Sequence, residues 1–199
     1  GLYGADPKYC RGAVENAKLV EAYFPTWRLR VYADATTPGG VLDELRAEGA
    51  DVHLIKGEHA DGAAAGMFWR FLVADDPSVD RFIVRDSDSG RPRPRRASKI
   101  TLPTGRLNAR DAFAVADWCA SRKGVRSVQD HPNHARLLNG GMWGATKLSR
   151  VHGAIGELAR TYWDRDSYGA DLDFLDAHVA PLVEGDLLAH DSYTCERFW

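Results

Sequence analysis

Apolar and polar positions in the early part of the chain fall into two periods. Within residues 11–22, Ala13, Val14, Ala17, Leu19 and Val20, followed by Tyr23, recur at helical spacing and predict a helix with that face toward the core. Trp27 to Tyr32 alternates and predicts a strand. Pro38-Gly39-Gly40 marks a turn, after which Val41 to Glu48 has the pattern of a short helix. Val52 to Ile55 is a second strand. Ala63 to Ala74 is helical, with Met67, Phe68, Trp69, Phe71 and Leu72 mainly as core. Arg81 to Val84 is a third strand. Gly1 to Gly4 has the character of a strand end followed by a loop.

Further along, residues 90–105 break the pattern. They are bounded by glycines and hold three prolines and five basic residues with no acid, which excludes a helix. Asn108 to Ser121 resumes as a helix, with Asn108 as N-cap and Asp111 placed for a capping box. Val125 to Asp130 follows, then a glycine-rich run at 139–144, a helix near Ser149 to Ala159, and a last helix over Asp171 to Val179. Alternation of strands and helices predicts one α/β domain over residues 1–199, with a mostly parallel central sheet and the basic stretch as an insertion. Ligands of such sheets bind at the carboxyl ends of the strands.

Composition narrows the class. The chain has 199 residues, 44% hydrophobic and 27% charged, enough for a sizeable core. A net charge of −2 gives no global field for nucleic acid, and no apolar run approaches the roughly 20 residues that span a bilayer. Cys10, Cys119 and Cys195 have no paired or zinc-ligand spacing, so reduced thiols and a cytoplasmic location are expected.

Chemistry concentrates at Arg85-Asp86-Ser87-Asp88-Ser89, directly after the apolar Phe82-Ile83-Val84. Two carboxylates one residue apart at a strand end suit a hard divalent cation, Mg²⁺ or Mn²⁺. The plainer alternative is a turn or capping role. His190 is a possible third ligand or a surface histidine. Asp130-His131-Pro132-Asn133-His134 offers a general base, a second metal site or a polar turn. Gly140-Gly141-Met142-Trp143-Gly144 permits close backbone approach, and Trp143 either stacks on a sugar or base or lies buried in a tight turn. Arg70, an arginine in an apolar helix, calls for a phosphate or a carboxylate partner. Arg91, Arg93, Arg95, Arg96 and Lys99 would dock an anionic acceptor or form a solvated insertion.

Taken together, Leu2-Tyr3-Gly4, Pro7-Lys8-Tyr9, Gly12-Ala13, Asn16 and Tyr23 to Trp27 resemble the start of a group of GT-A-type glycosyltransferases. The resemblance continues through 67–72, Arg85 to Ser89, Ala114 to Trp118, Asp130 to His134, Gly140 to Gly144, Asp171 to Leu175 and His190 to Tyr193. It departs where the basic insertion follows Ser89, and at Leu172, where a glutamine would follow Asp171.

The resemblance implies a nucleotide-diphosphate sugar as donor, Mn²⁺ or Mg²⁺, and an acceptor that is a small molecule, a glycan or a lipid-linked group. It assigns Asp86 and Asp88 to the metal–diphosphate and His190 to the same metal site. Tyr3, Gly4 and Tyr9 fall where the nucleotide is contacted, and Arg70 where a basic residue often meets the nucleotide or phosphates; Gly141 and Trp143 of the glycine-rich run are counted with them as donor contacts. Asp130, His131 or Asp171 would orient or deprotonate the acceptor. Two rivals share these residues: a metal-dependent phosphohydrolase or nucleotidyltransferase, and a non-catalytic binder of a nucleotide sugar or another anionic ligand.

Overall fold

The computed structural model describes residues 1–56, 63–87, 107–129, 136–163, 165 and 167–191. The chain forms two compact units, residues 1–57 with 86–113, and residues 58–85 with 114–199.

In the first unit, helix α1 (Pro7–Tyr23) starts with proline in its first turn and the Asp6 carboxylate accepting from the Lys8 N–H at 2.8 Å. It begins earlier than the apolar pattern indicates, because the cap lies ahead of the first buried residue. Its buried face holds Cys10, Gly12, Ala13, Val14, Asn16 and Ala17. Leu19, Val20 and Tyr23, expected on that face, are only partly covered. Strand β1 (Arg30–Ala33), helix α2 (Gly39–Ala47) and strand β2 (Asp51–Leu54) form a β–α–β unit, with β1 and β2 parallel and Arg30 opposite Asp51. Leu2 adds a parallel bridge to Ala33. Leu2, Val14, Ala17, Val31, Ala33, Leu42 and Leu45 close the core between these elements.

The second unit opens with helix α3 (Ala63–Phe68), which tightens into a 3₁₀ helix over Trp69–Asp75. A three-residue turn puts every third side chain on one line. Phe68, Phe71 and Ala74, each with no exposed surface, fall on that line. Strands β3 (Arg81–Ile83), β4 (Val125–Gln129), β5 (Trp143–Thr146) and β6 (Leu187–Asp191) form one sheet in the order β3-β5-β4-β6. β5 runs antiparallel to both neighbours, and only β4 and β6 are parallel.

The expectation of a mostly parallel central sheet is therefore corrected: this sheet is mixed, and the parallel pair β1–β2 belongs to the other unit. No helix lies between β4 and β5 among the described residues, so β5 returns beside β4 in the opposite sense. Helix α4 (Ala109–Ala120) is the expected helix, and Asn108 Oδ1 accepts from Arg110 N–H at 2.9 Å and Asp111 N–H at 3.2 Å. The helix expected near 149–159 is mostly turns, with only α5 (Gly156–Arg160) helical. The last helix is α6 (Ala170–Phe174), a π-helical turn over Leu175–Val179, and α7 (Ala180–Val183). The wider turn ends two residues before Pro181, which has no N–H to give. The basic stretch at 90–105 lies outside the described residues.

Candidate functional site

Strand β1 ends at a buried carboxylate. Asp34 is 2% exposed, and its Oδ1 accepts from the Thr36 N–H at 3.0 Å and the Thr36 hydroxyl at 2.6 Å. The Thr36 oxygen accepts from the Gly4 N–H at 2.7 Å, and the Thr37 hydroxyl donates to the Leu2 carbonyl at 3.1 Å. Two loops, 2–4 and 34–37, are thereby stitched side by side at the carboxyl end of β1. Gly4 has φ +69°, a conformation that other residues adopt only with strain. Tyr3 is half-buried beside it, and Tyr9 is exposed with Lys8 Nζ 5.0 Å from its ring centre. Asp34, Thr36 and Thr37 were not singled out from sequence. Their signal is the Asp-Ala-Thr-Thr run after an alternating strand, where short polar side chains bond nearby backbone.

Asp86 belongs to this same unit and is half-buried. Its carbonyl accepts from Asn16 Nδ2 at 3.4 Å, the long end of the hydrogen-bond range. Asp88, the second carboxylate of the motif, lies outside the described residues, as do Asp130 and His131. A carboxylate-only donor set fits Mg²⁺ or Mn²⁺ by its chemistry. Among the described residues, no group of three or more His, Cys, Asp or Glu side chains gathers to hold a metal.

The second unit brings Arg70 and Asp171 to one place, the turn before β5. Asn139 is buried, and its carbonyl accepts from the Met142 N–H at 3.0 Å, closing a tight turn through Gly140 and Gly141, both buried. A Cβ on Gly140 would stand 2.6 Å from Asp171 Oδ2 and 3.7 Å from Arg70 Nη1. Only glycine there lets the carboxylate lie against the backbone. Asp171 is 8% exposed, in the first turn of α6. One helical turn on, Arg136 bonds Asp173 at 3.0 Å and Asp176 at 2.7 Å. The hydrogen bond donated to Asp173 and the two negative charges raise the guanidinium pKa despite partial burial. Behind them, the Tyr162 hydroxyl and His178 Nε2 lie 2.5 Å apart, with His178 on the π-helical turn.

Two expectations change here. Trp143 has no exposed surface: its ring packs on Phe71 (centroids 5.9 Å apart) and Phe82 (5.3 Å). It is a core side chain and offers no stacking face, which is the plainer of its two sequence readings. His190 is not a surface residue. It lies fully buried on β6, opposite Val128, with Nε2 3.0 Å from Asp117 Oδ2 on α4. A carboxylate on one ring nitrogen fixes the ring's orientation, as outer partners do for metal-binding histidines. The partner, Asp117, lies 73 residues from His190 and is invisible to local pattern.

No protein-family model matches the chain, and no curated protein matches it. Among solved structures it is similar to a glycosyltransferase involved in the glycosylation of the major capsid of PBCV-1. The two share 15% identity over 96% of this chain and 80% of that one, with a TM-score of 0.49. Among the described residues, no helix is long and apolar enough to cross a membrane.

Proposed function

We propose that this protein is a metal-dependent glycosyltransferase that moves a sugar from a nucleotide-diphosphate sugar to an acceptor. The observation that carries the reading is Asp86, first carboxylate of Asp86-x-Asp88. It lies three residues past the end of β3, with its backbone held by a buried side chain. The resemblance of the surrounding residues to GT-A-type enzymes supports it.

In the first unit, Asp86 and Asp88 supply the carboxylates for Mg²⁺ or Mn²⁺. The cation would neutralise the charge that develops on the departing nucleotide diphosphate. The paired loops 2–4 and 34–37 present Tyr3, Gly4 and neighbouring hydroxyls to the nucleotide. In the second unit, Asp171 and Arg70 at the Gly140–Gly141 turn provide one carboxylate and one guanidinium for sugar hydroxyls or phosphate. Asp130 and His131 remain candidates for handling the acceptor proton.

A thermal-shift screen of nucleoside diphosphates and nucleotide sugars, with and without Mn²⁺, tests this reading on the wild type and on Asp86→Asn/Asp88→Asn. Ligands that bind the folded state raise the melting temperature. The expected result is a Mn²⁺-dependent rise with one nucleotide class, absent in the double variant. No rise with any nucleotide would remove the donor site.

A further inference from the structure

Residues 88–106 lie outside the described residues, and one side chain bonds both Asp86 and Leu107, which stand before and after them in sequence. Asn16, on the buried face of α1, is 5% exposed. Its Nδ2 donates to the Asp86 carbonyl at 3.4 Å, and its Oδ1 accepts from the Leu107 N–H at 3.2 Å. The amide's orientation follows from its partners: a carbonyl only accepts, and a backbone N–H only donates. At this position the site needs one donor and one acceptor a single amide apart. Aspartate has no N–H to offer, leucine has neither group, and glutamine is one methylene too long. A buried side chain that loses one of its hydrogen-bond partners is left with an uncompensated polar group, which is costly.

We propose that Asn16 is a positioning residue for Asp86: it fixes the backbone from which the metal-binding carboxylate projects. This rests on reading Asp86 as a metal carboxylate. Asn16 ties Asp86 to a long, capped helix, and outer groups that hold a ligand in place typically carry a 10–100-fold effect on metal affinity. It also ties Asp86 to the Leu107 backbone.

The test is Mn²⁺ alone, titrated by electron paramagnetic resonance of the free ion. The samples are wild type, Asp86→Asn, Asn16→Leu and Asn16→Ser, the serine being a smaller polar variant in case leucine prevents folding. Hydrogen exchange at the Leu107 amide and the melting temperature are recorded on each. The proposal expects Mn²⁺ binding in the wild type and its loss in Asp86→Asn. For folded Asn16 variants it expects about tenfold weaker binding together with faster exchange at Leu107. Wild-type Mn²⁺ affinity in an Asn16 variant whose Leu107 amide exchanges freely would overturn the proposal and leave the metal reading intact. No Mn²⁺ binding by the wild type would remove both.

Discussion

At Gly140 the volume of a side chain is already taken by Asp171 Oδ2, and at Gly144 by the Phe82 carbonyl, which a Cβ would approach to 2.3 Å. The two glycines differ in what can yield. A carboxylate at the end of a side chain can swing aside, whereas the Phe82 carbonyl belongs to the β3–β5 ladder, with Ile83 Cα 3.1 Å from the same point. Gly144→Ala is therefore expected to cost about 3 kcal/mol and Gly140→Ala about 1 kcal/mol in urea unfolding. Turnover, by contrast, should suffer most in Gly140→Ala, where Asp171 is displaced. Equal destabilisation by both would show that Asp171 cannot move.

A second residue-scale prediction concerns Asp51, which bonds Arg30 Nε at 3.0 Å and His53 Nε2 at 2.8 Å. Burial pushes this carboxyl up, but the hydrogen bonds and charges of His53 and then Arg30 outweigh it, and the net position lies below the usual aspartate range. A carboxylate lowered in the folded state stabilises above its unfolded pKa and loses that contribution as pH falls through the folded value. Melting temperatures followed downward from about pH 4 should fall less steeply in Asp51→Asn than in the wild type. Parallel curves would show that the trio contributes nothing.

Among elements, helix ends give the sharpest expectations. Removing the Asn108 cap with Asn108→Ala should cost about 1 kcal/mol, read by urea unfolding. Asp75 caps α5 from a distance, accepting from the Gly156 N–H at 3.1 Å and the Glu157 N–H at 3.2 Å. Asp75→Ala should cost a comparable amount. No change in either variant would mean that these ends do not limit stability.

The contrast also explains what sequence reveals. Asn108 lies next to the helix it caps and was legible, as were α1, α2, β1 and β2, whose periodicity and turn residues are local. Asp75 lies 81 residues before Gly156, so α5's start was not. β5 was hidden because Trp143-Gly144-Ala145-Thr146 has too little side-chain volume to alternate visibly. Its glycine is there because the neighbouring strand comes close. β6 was missed beyond its apolar Leu187-Leu188, since its identity depends on pairing with β4. The Asp86-x-Asp88 spacing is visible in the sequence. Asn16's grip on Asp86 and Leu107 is not, since its partners lie 70 and 91 residues away.

For the molecule as a whole, local patterns predicted alternating α/β elements but not strand direction. β5 runs antiparallel to both β3 and β4, and this turns an expected parallel sheet into a mixed one. The candidate residues divide between the units: Asp86 and the stitched loops belong to the first, Arg70, Asp171 and the His190–Asp117 pair to the second. The reaction proposed for them differs from its rivals in which bond of the donor breaks. A transferase cleaves the sugar–phosphate bond and releases nucleoside diphosphate, while a phosphohydrolase cleaves between the phosphates and releases nucleoside monophosphate.

The most direct measurement is chromatographic: incubate the protein with a panel of nucleotide sugars and Mn²⁺ and identify the nucleotide released. The proposed function predicts nucleoside diphosphate from one donor class, dependent on Mn²⁺ and reduced about 100-fold or more in Asp86→Asn. Nucleoside monophosphate with sugar phosphate, or no release from any donor, would contradict it.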